Sequence, residues 1–293
     1  LHRNVKVMLS FLYRKGDFFF TENLGGKMKY KAVVCDMDGT LLNGEHRVSE
    51  RSKNIIKTII EKGVKVFLAS GRPYPDIQYF KKSLGLNSYS ISSNGAVVHD
   101  EQGKEIMYYS LEKELLSELL NLPFGNLHRN LYTRNSWYVE VALKELLEFH
   151  KESGFAFQQI SNLAEKNDGN ATKLFFLDES EKSILDFEKK LKAKFEDRVS
   201  ITLSTPNCLE IMKKGVNKGR AVKDTMQKLG IPLEEVIAFG DGLNDYEMLS
   251  LVGNPFVMSN ASPRLLKALS EVPRAPKNTE DGVAQILERL FLK

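Results

Sequence analysis

Cysteine is scarce in this sequence, which contains only Cys35 and Cys208 in 293 residues. The two lack the paired spacing of zinc ligands, and a chain of this length does not need a disulfide to fold. The composition therefore argues against a zinc-stabilised or disulfide-stabilised scaffold and favours a reducing compartment, so we expect a cytoplasmic protein. We interpret Cys35 as a buried packing residue that stays a thiol.

Long apolar runs and an excess of one charge sign are also absent. No apolar stretch approaches the roughly 18 residues that a membrane span needs, so we expect no membrane partner. The net charge is +4, but residues 1–29 alone hold six basic and two acidic side chains, and the remainder is balanced. Such a balance does not predict a basic face for nucleic acid. The expected partner is therefore a small molecule, while the oligomeric state stays open.

Residues 1–27 differ in composition from the rest of the chain. The stretch "LHRNVKVMLSFLYRK" has no acidic residue, and a glycine pair precedes Met28. We interpret residues 1–27 as an N-terminal extension and predict that the first domain starts at residue 28. An organelle-targeting segment is the alternative, because such segments are also poor in acidic residues.

From residue 30 onwards, short apolar runs alternate with amphipathic stretches. "YKAVVCD" (30–36), "VKVFLAS" (64–70) and "YSISSN" (89–94) predict buried strands. The helix-like stretches between them carry helix signals, such as Ser49 at a start and Gly63 at an end. Continuous apolar strands between amphipathic helices are typical of a parallel sheet covered on both faces. The predicted fold class is therefore α/β, with a Rossmann-like parallel sheet.

The same alternation of strands and helices returns at residues 217–260, after a segment with a different pattern of predicted elements. Between residues 108 and 207, helices such as "SEKSILDFEKKLKAKF" occur beside alternating strands such as "ATKLFFLD". We predict a core formed by residues 28–107 and 208–293, with an α+β cap inserted over residues 108–207. A cap over a crevice can close on the substrate and exclude water. Its 13 basic and 16 acidic residues argue against a polyanionic polymer as substrate.

Several residues that could bind a cation and a phosphate follow the predicted strands or begin a helix in the segment 217–260. In an open parallel sheet the reactive crevice lies beyond the carboxyl ends of the strands, so we expect them to meet. These candidates are Asp36, Asp38, Ser70, Gly71, Arg72, Asn94, Lys218, Asp241, Asn244 and Asp245. Each alone has an ordinary explanation as a turn, a strand end or a helix cap. Their joint occurrence favours one shared site.

Four of these stretches resemble the motifs of the haloacid dehalogenase-like hydrolases. They are "DMDGTLL", "LASGR", "NKG" and "GDGLND". The long insert after the second motif, together with "SSNGAVV", "LEIMKKGVNKG" and "NTEDGVA", is similar to the Cof-type branch of that superfamily. The resemblance covers roughly residues 30–291 and weakens inside the insert.

The residues suggest a two-step phosphoryl transfer. Asp36 ends a buried strand, where a carboxylate can attack phosphorus and form an aspartyl-phosphate. Asp38 would protonate the leaving oxygen and then activate water. Mg²⁺, a hard cation that prefers oxygen ligands, would reduce the repulsion between nucleophile and phosphate. Lys218 would neutralise charge on the nucleophile and the transferring group.

The predicted site has three overlapping sets of residues. The catalytic set is Asp36, Asp38, Ser70 and Lys218. The Mg²⁺ ligands are Asp36, the backbone carbonyl of Asp38, Asp241 and, as the resemblance implies, Asp245 directly or through water. The substrate contacts that the resemblance implies are Gly71, Arg72, Asn94 and Asn244. Trp137, Tyr138 and His128 in the insert are interpreted instead as core residues and a loop residue.

The favoured function is a Mg²⁺-dependent phosphatase, a phosphoric monoester hydrolase acting on small phosphorylated metabolites. The resemblance ranks sugar phosphates first and nucleotide or cofactor phosphates next. Asp38 argues against dehalogenation, because a halide leaves without a proton whereas an alkoxide requires one. A phosphomutase is one alternative, since it passes through the same aspartyl-phosphate. A non-catalytic metabolite sensor is the other, and the complete motif set disfavours it.

Overall fold

The computed structural model describes residues 29–292; the extension predicted over residues 1–27 lies outside the described residues. The strands of the described part, in chain order, are β1 (Ala32–Cys35), β2 (Lys65–Ala69), β3 (Ser90–Ser92), β4 (Val97–His99), β5 (Glu105–Tyr108), β6 (His128–Thr133), β7 (Trp137–Val139), β8 (Phe157–Gln159), β9 (Ala171–Leu177), β10 (Val199–Thr205), β11 (Cys208–Lys213), β12 (Val236–Gly240), β13 (Asn254–Met258) and β14 (Arg274–Ala275). The α-helices are α1 (Glu50–Glu61), α2 (Tyr74–Ser83), α3 (Lys113–Leu120), α4 (Glu181–Phe195), α5 (Lys218–Leu229), α6 (Tyr246–Leu251), α7 (Pro263–Ala268) and α8 (Gly282–Phe291).

The first sheet, called the core sheet, has eight strands in the order β14-β13-β12-β1-β2-β3-β4-β5. The strands from β14 to β3 pair in parallel. At the other edge, β4 and β5 add two antiparallel strands that the sequence analysis did not predict. The parallel part confirms the Rossmann-like α/β fold, with the strands that carry the motifs at its centre.

Both faces of the core sheet are covered, as the continuous apolar strands predicted. On β1, Val33 and Cys35 point into the apolar cluster formed with α1, α2 and α8. Ala32 and Val34 point into the opposite cluster, formed with α5, α6 and α7. Alternate residues of one strand thus serve two separate layers, which is why β1 has no exposed residue.

Local signals place the helices that flank the site. The Ser49 side chain caps α1 by accepting from the Ser52 amide, as predicted. Asn217 caps α5 by accepting from the Arg220 amide, so that Lys218 becomes the first helical residue. The cap side chain satisfies an amide at the helix start that has no partner within the helix. This fixes the direction in which Lys218 enters the crevice.

The second sheet, with its helices α3 and α4, is called the cap here, and its strand order is β10-β11-β9-β6-β7-β8. Leucines of α3 and apolar residues of α4 pack on one face of this sheet. Strand β11 pairs antiparallel with β10 and β9, so residues 208–213 belong to this sheet. The boundary predicted at 207/208 assigns them to the core instead, because it falls inside the β10–β11 hairpin.

Two expectations for aromatic and histidine residues of the cap have different outcomes. Trp137 is fully buried among aromatic neighbours, as expected for a core residue. His128 was expected in a loop but begins strand β6, where its Nε2 hydrogen-bonds the Val141 carbonyl. The strand was missed because "HRNLYT" opens with three polar residues. None of the helices within residues 29–292 combines the length and the apolar character of a membrane span.

Candidate active site

The site forms where two adjacent parallel strands end. Strand β1 pairs with β12, with Cys35 opposite Phe239. Asp36 therefore follows β1 beside Asp241, which follows β12. Strand β2 lies on the other side of β1 and ends at Ala69, immediately before Ser70. The crevice beyond the carboxyl ends of the strands is the place where open α/β sheets bind ligands.

A tight turn after Asp36 brings Asp241 close to the chain. Gly39 has a φ of +76°, and a Cβ atom at this position would lie 2.3 Å from Asp241 Oδ2. Thr40 Oγ1 donates to Asp241 Oδ1 at 2.7 Å. Asn260 Nδ2 donates to the Gly39 carbonyl at 2.8 Å. The glycine of the first motif thus serves both the backbone conformation and the approach of the acidic side chain.

Lys218 binds two carboxylates in the interior. Its Nζ donates to Asp36 Oδ1 at 2.5 Å and to Asp245 Oδ1 at 2.7 Å. Lys218 and Asp245 are both 0% exposed. The second oxygen of Asp245 accepts from the backbone amides of Asp241 and Gly242, each at 3.0 Å. Asp245 therefore ties the lysine to the turn that carries Asp241.

The buried charges do not cancel. Carboxylate oxygens of Asp36, Asp241 and Asp245 lie within 4.8 Å of one another. Burial raises the pKa of Asp36 to about 7, although Lys218 lowers it and Asp245 raises it further. Burial, with Asp36 and Asp245 nearby, also raises the pKa of Asp241 well above its usual range. Three carboxylates against one lysine leave room for a divalent positive charge.

The donor set fits Mg²⁺. All three clustered side chains offer oxygen atoms, which this hard cation prefers. Lys218 stays charged, because the two carboxylates raise its pKa even though burial opposes this. The candidate metal ligands from the sequence that the structure brings together are thus Asp36, Asp241 and Asp245. The Asp38 side chain faces elsewhere, consistent with the expectation that only its carbonyl contacts the ion.

Asp38 is held by Arg72. The guanidinium donates through Nε and Nη2 to the two Asp38 oxygens, both at 2.7 Å. His46 Nδ1 lies 3.3 Å from Asp38 Oδ1. Burial works against ionisation of Asp38, but the hydrogen bonds from Arg72 and His46 outweigh it and hold the pKa well below its usual range. Arg72, predicted as a substrate contact, here binds the predicted acid–base residue.

The remaining Arg72 nitrogen links the site to the cap. Its Nη1 donates to Asp76 at 3.2 Å and to the Phe149 carbonyl, in the segment that connects strands β7 and β8 of the cap. Asp76 is fully buried and also hydrogen-bonds His150 Nδ1 at 2.6 Å and the Ser153 hydroxyl. Sequence reasoning missed Asp76 and His150, because the two lie 74 positions apart and neither belongs to a motif.

The other predicted residues lie along the loops after β2 and β3. Ser70 is buried, and its Oγ accepts from the Arg72 amide at 3.2 Å. Asn94 Oδ1 accepts from Asn244 Nδ2 at 3.0 Å, which joins two of the predicted substrate contacts. Gly71, between Ser70 and Arg72, uses its carbonyl to accept from Lys173 of the cap at 2.8 Å.

A cleft of about 210 Å³ runs between the core and the cap beside these loops. Its walls include Asn94, Asn244 and Glu247 from the core, and Lys192, Thr202 and Met212 from the cap. Asp36 and Lys218 do not line it. The cleft therefore borders two of the predicted substrate contacts, Asn94 and Asn244, and lies to one side of the aspartate cluster. Its volume lies below the roughly 300–1,000 Å³ of typical ligand pockets, so it leaves room only for a small group.

Both cysteines are free and buried. Burial, and secondarily Asp36, raises the pKa of the Cys35 thiol above its usual range. Burial raises the pKa of Cys208 to about 12. Neither thiol is available as a nucleophile at neutral pH, which agrees with the packing role expected for Cys35.

Comparisons with known proteins identify the family of the chain. The family described as haloacid dehalogenase-like hydrolase matches residues 33–287. A Haemophilus influenzae protein named "Putative phosphatase" is 36% identical over 268 residues, covering 90% of this chain and 98% of its own. The "HMP-PP phosphatase" of Serratia proteamaculans is 33% identical over 261 residues, covering 88% and 94%.

A solved structure supports the same assignment. A haloacid dehalogenase-like hydrolase from B. subtilis has a TM-score of 0.79 at 25% identity, and the match covers 89% of this chain and 100% of that one. The fold, the motifs and the family match together confirm the resemblance found in the sequence. The chain belongs to the haloacid dehalogenase-like hydrolases, in their Cof-type branch.

Proposed function

We propose that the protein is a Mg²⁺-dependent phosphatase that hydrolyses small phosphorylated metabolites through an aspartyl-phosphate. The class of phosphoric monoester hydrolase is confirmed by the family and by relatives named as phosphatases. The observation that carries the mechanism is the buried group of Asp36, Asp241, Asp245 and Lys218 at the strand ends. It combines a nucleophile with the charge arrangement that phosphoryl transfer requires.

The first chemical step uses Asp36 and Asp38. Lys218 occupies Oδ1 of Asp36, which leaves Oδ2 to attack phosphorus. As the new bond between Oδ2 and phosphorus forms, the bond to the leaving oxygen breaks, and that oxygen takes a proton from Asp38. Because Arg72 keeps Asp38 ionised, the carboxyl must leave Arg72 in order to carry this proton.

The second step restores the enzyme. Asp38, now a carboxylate, accepts a proton from the water that attacks phosphorus, and the bond to Asp36 breaks. Lys218 stabilises negative charge on Asp36 and on the transferring group, and Ser70 would donate its hydroxyl to a phosphoryl oxygen. Mg²⁺, held by Asp36, Asp241 and the Asp38 carbonyl, would supply charge that offsets repulsion between nucleophile and phosphate.

Asp245 has a supporting role in this proposal. Lys218 and two backbone amides already occupy its oxygens. We therefore assign it to holding Lys218 and the turn of Asp241, with any contribution to the metal made through water. Asn94, Asn244 and the loop of Gly71 and Arg72 are assigned to the substrate.

Sugar phosphates are the first substrate class to test. HMP-PP is included because relatives 32–33% identical are named as its phosphatases. The balanced charge of the insert and the small cleft favour a small substrate.

The test is phosphate release by purified protein from a panel of phosphorylated metabolites, with Mg²⁺ or with EDTA. We expect release only with Mg²⁺, and none with Asp36→Asn, whose side chain is not a nucleophile. Mass spectrometry of acid-quenched wild-type protein should show a phosphoryl group on Asp36. Transfer between sugar hydroxyls that depends on a bisphosphate, without phosphate release, would instead indicate a mutase. An inert but ligand-binding protein would indicate a sensor.

A further inference from the structure

Two charged side chains of the cap are buried on the face of its sheet that meets the core. Lys173 of β9 is 3% exposed, Glu210 of β11 is 2% exposed, and the two form an ion pair. Glu210 lies opposite Phe175 in the antiparallel ladder, which puts Lys173 diagonally next to Glu210 on the same face. Leu174 and Ile211, the alternate residues, pack on the opposite face in the apolar cluster of the cap.

The remaining hydrogen bonds of this pair cross to the core. Glu210 Oε2 accepts from Asn94 Nδ2 at 2.7 Å, in the loop after β3. Lys173 Nζ donates to the Gly71 carbonyl at 2.8 Å, in the loop after β2. Asn94 in turn accepts from Asn244, in the loop after β12. One ion pair of the cap is thus connected to three core loops that carry predicted substrate contacts.

Folding of the cap alone does not account for this pair. A buried ion pair is often no more stabilising than apolar residues of the same volume, since both charges lose their water. The ammonium of Lys173 also lies 4.8 Å from the ring centroids of Tyr132 and Phe175, a cation–π arrangement that offsets only part of this loss. Four groups, namely the Glu210 carboxylate, the Lys173 ammonium, the Asn94 amide and the Gly71 carbonyl, make these hydrogen bonds only where the cap meets the core. The arrangement therefore serves the contact between cap and core.

We propose that Glu210, held in place by Lys173, is a positioning residue that orients Asn94 toward the leaving group of the substrate. This role rests on the proposed function. A carboxylate accepts hydrogen bonds only, so Glu210 requires the nitrogen of the Asn94 amide to face the cap. The Asn94 oxygen then faces Asn244 Nδ2 and fixes that amide as well. Closure of the cap thereby sets the two asparagines in one defined orientation.

The test compares two double variants that each remove both buried charges. Lys173→Met with Glu210→Gln keeps an oxygen that can accept from Asn94, whereas Lys173→Met with Glu210→Leu does not. Neither leaves an unpaired buried charge, so both are designed to fold, as urea denaturation would verify. On a hexose phosphate we expect kcat/KM to be at least about tenfold higher for the Gln variant, the usual effect of one hydrogen bond to a buried group.

The same pair is then compared in an Asn94→Ala background. If Glu210 acts through Asn94, the difference between Gln and Leu disappears there. A difference that persists, or equal activity of the two original variants, overturns the inference. Acetyl phosphate hydrolysis by the wild type separates the two claims. If the wild type hydrolyses neither acetyl phosphate, an acyl phosphate, nor any phosphate monoester, the proposed function is overturned, whereas an active wild type with indistinguishable variants overturns only the role of Glu210.

Discussion

Lys218 lies with its Nζ 2.5 Å from Oδ1 of Asp36, and no part of the lysine is exposed. The two residues are 182 positions apart and come from strand-end and helix-start motifs of different halves of the chain. A fully buried lysine is stable only with its charge paired, and Asp36 and Asp245 provide that pairing. The contact is therefore both part of the proposed chemistry and part of the structure.

Replacing Lys218 tests both aspects. Lys218→Met keeps an unbranched side chain shorter by one heavy atom, but leaves Asp36 and Asp245 buried without their partner. We expect kcat/KM to fall about 10²–10³-fold, as for loss of a donor to developing charge, and the free energy of unfolding in EDTA to fall by roughly 3–5 kcal/mol. Steady-state kinetics and urea denaturation measure the two effects.

The matched control is Lys189→Met, on the exposed side of α4, where the lysine side chain is 80% exposed. It should change neither quantity measurably, since exposed pairs contribute little. Wild-type kcat/KM in Lys218→Met would exclude Lys218 from the reaction.

The response to Mg²⁺ should depend on pH. The pKa of Asp36 is raised to about 7, well above the ordinary range of an aspartate, mainly by burial. In metal-free protein, the stability contributed by its protonated form is present below pH ~4 and is lost as pH rises through about 7. Since Mg²⁺ needs the carboxylate, its affinity should fall about tenfold for each pH unit below that value.

Thermal unfolding with Mg²⁺ or EDTA between pH 5 and 8 measures this dependence. We expect the Mg²⁺-induced rise in Tm to be larger at pH 8 than at pH 5. Asp36→Asn removes one of the two ligands whose pKa is raised, the other being Asp241, so its Mg²⁺ effect should vary less with pH. A Mg²⁺ effect on wild-type Tm that is equal at both pH values would contradict the assignment of Asp36 as a ligand.

Removing Arg72 should raise the pKa of Asp38. Burial favours the neutral acid, and it is overcome by hydrogen bonds, above all from Arg72. Arg72→Met leaves burial in place and removes the opposing donor, so we expect a rise of about 1–3 units. Carboxyl ¹³C NMR titration, with the Asp38 resonance assigned by its loss in Asp38→Asn, measures the change.

His46 provides the comparison for that titration. It makes one contact with Asp38, at 3.3 Å, where Arg72 makes two at 2.7 Å. His46→Gln should therefore raise the pKa of Asp38 less than Arg72→Met does. If Asp38 titrates at the same pH with and without Arg72, the two hydrogen bonds from the Arg72 guanidinium do not control the ionisation of Asp38.

The sequence predicted the centre of the core and its acidic cluster because both depend on local patterns. A buried strand that ends in a polar residue specifies where Asp36 and Asp241 lie, once parallel neighbours share one edge. The edge strands β4 and β5 were missed, because runs of three and four residues have too little periodicity to identify.

The contacts between cap and core were beyond sequence reasoning for a different reason. In "ATKLFFLD", Lys173 occupies an alternating polar position, which predicts a solvent-facing side chain. The structure buries it because that face of the sheet meets the core. Glu210 stands in a stretch that had been recognised as typical of the Cof-type branch, yet its partners Asn94 and Lys173 are 116 and 37 positions away. No short-range pattern encodes such pairs.

Alanine substitutions at Gly39 and Gly63 distinguish the effect of backbone strain from the effect of disturbing the site. Gly39 has a φ of +76° and Gly63 a φ of +88°, so alanine would cost about 1–2 kcal/mol at either position. Only at Gly39 would the new Cβ meet a functional group, Asp241 Oδ2 at 2.3 Å; Gly63 has nothing within 4 Å. In urea denaturation, Gly39→Ala should therefore lose at least as much stability as Gly63→Ala, since it adds this clash to the same backbone strain.

Activity should distinguish them. In Gly39→Ala the Asp241 carboxylate must move away from Asp36, so we expect kcat/KM and Mg²⁺ affinity, measured by calorimetry, to fall at least about tenfold. Gly63→Ala should keep both near wild type, because Gly63 lies between the end of α1 and the start of β2, whereas the predicted site residues follow the other end of that strand. Equal losses in the two variants would mean that general destabilisation, rather than the position of Asp241, limits the enzyme. If only Gly39→Ala loses activity and Mg²⁺ affinity, the metal site depends on the close approach of the Asp241 carboxylate to residue 39, which only glycine permits.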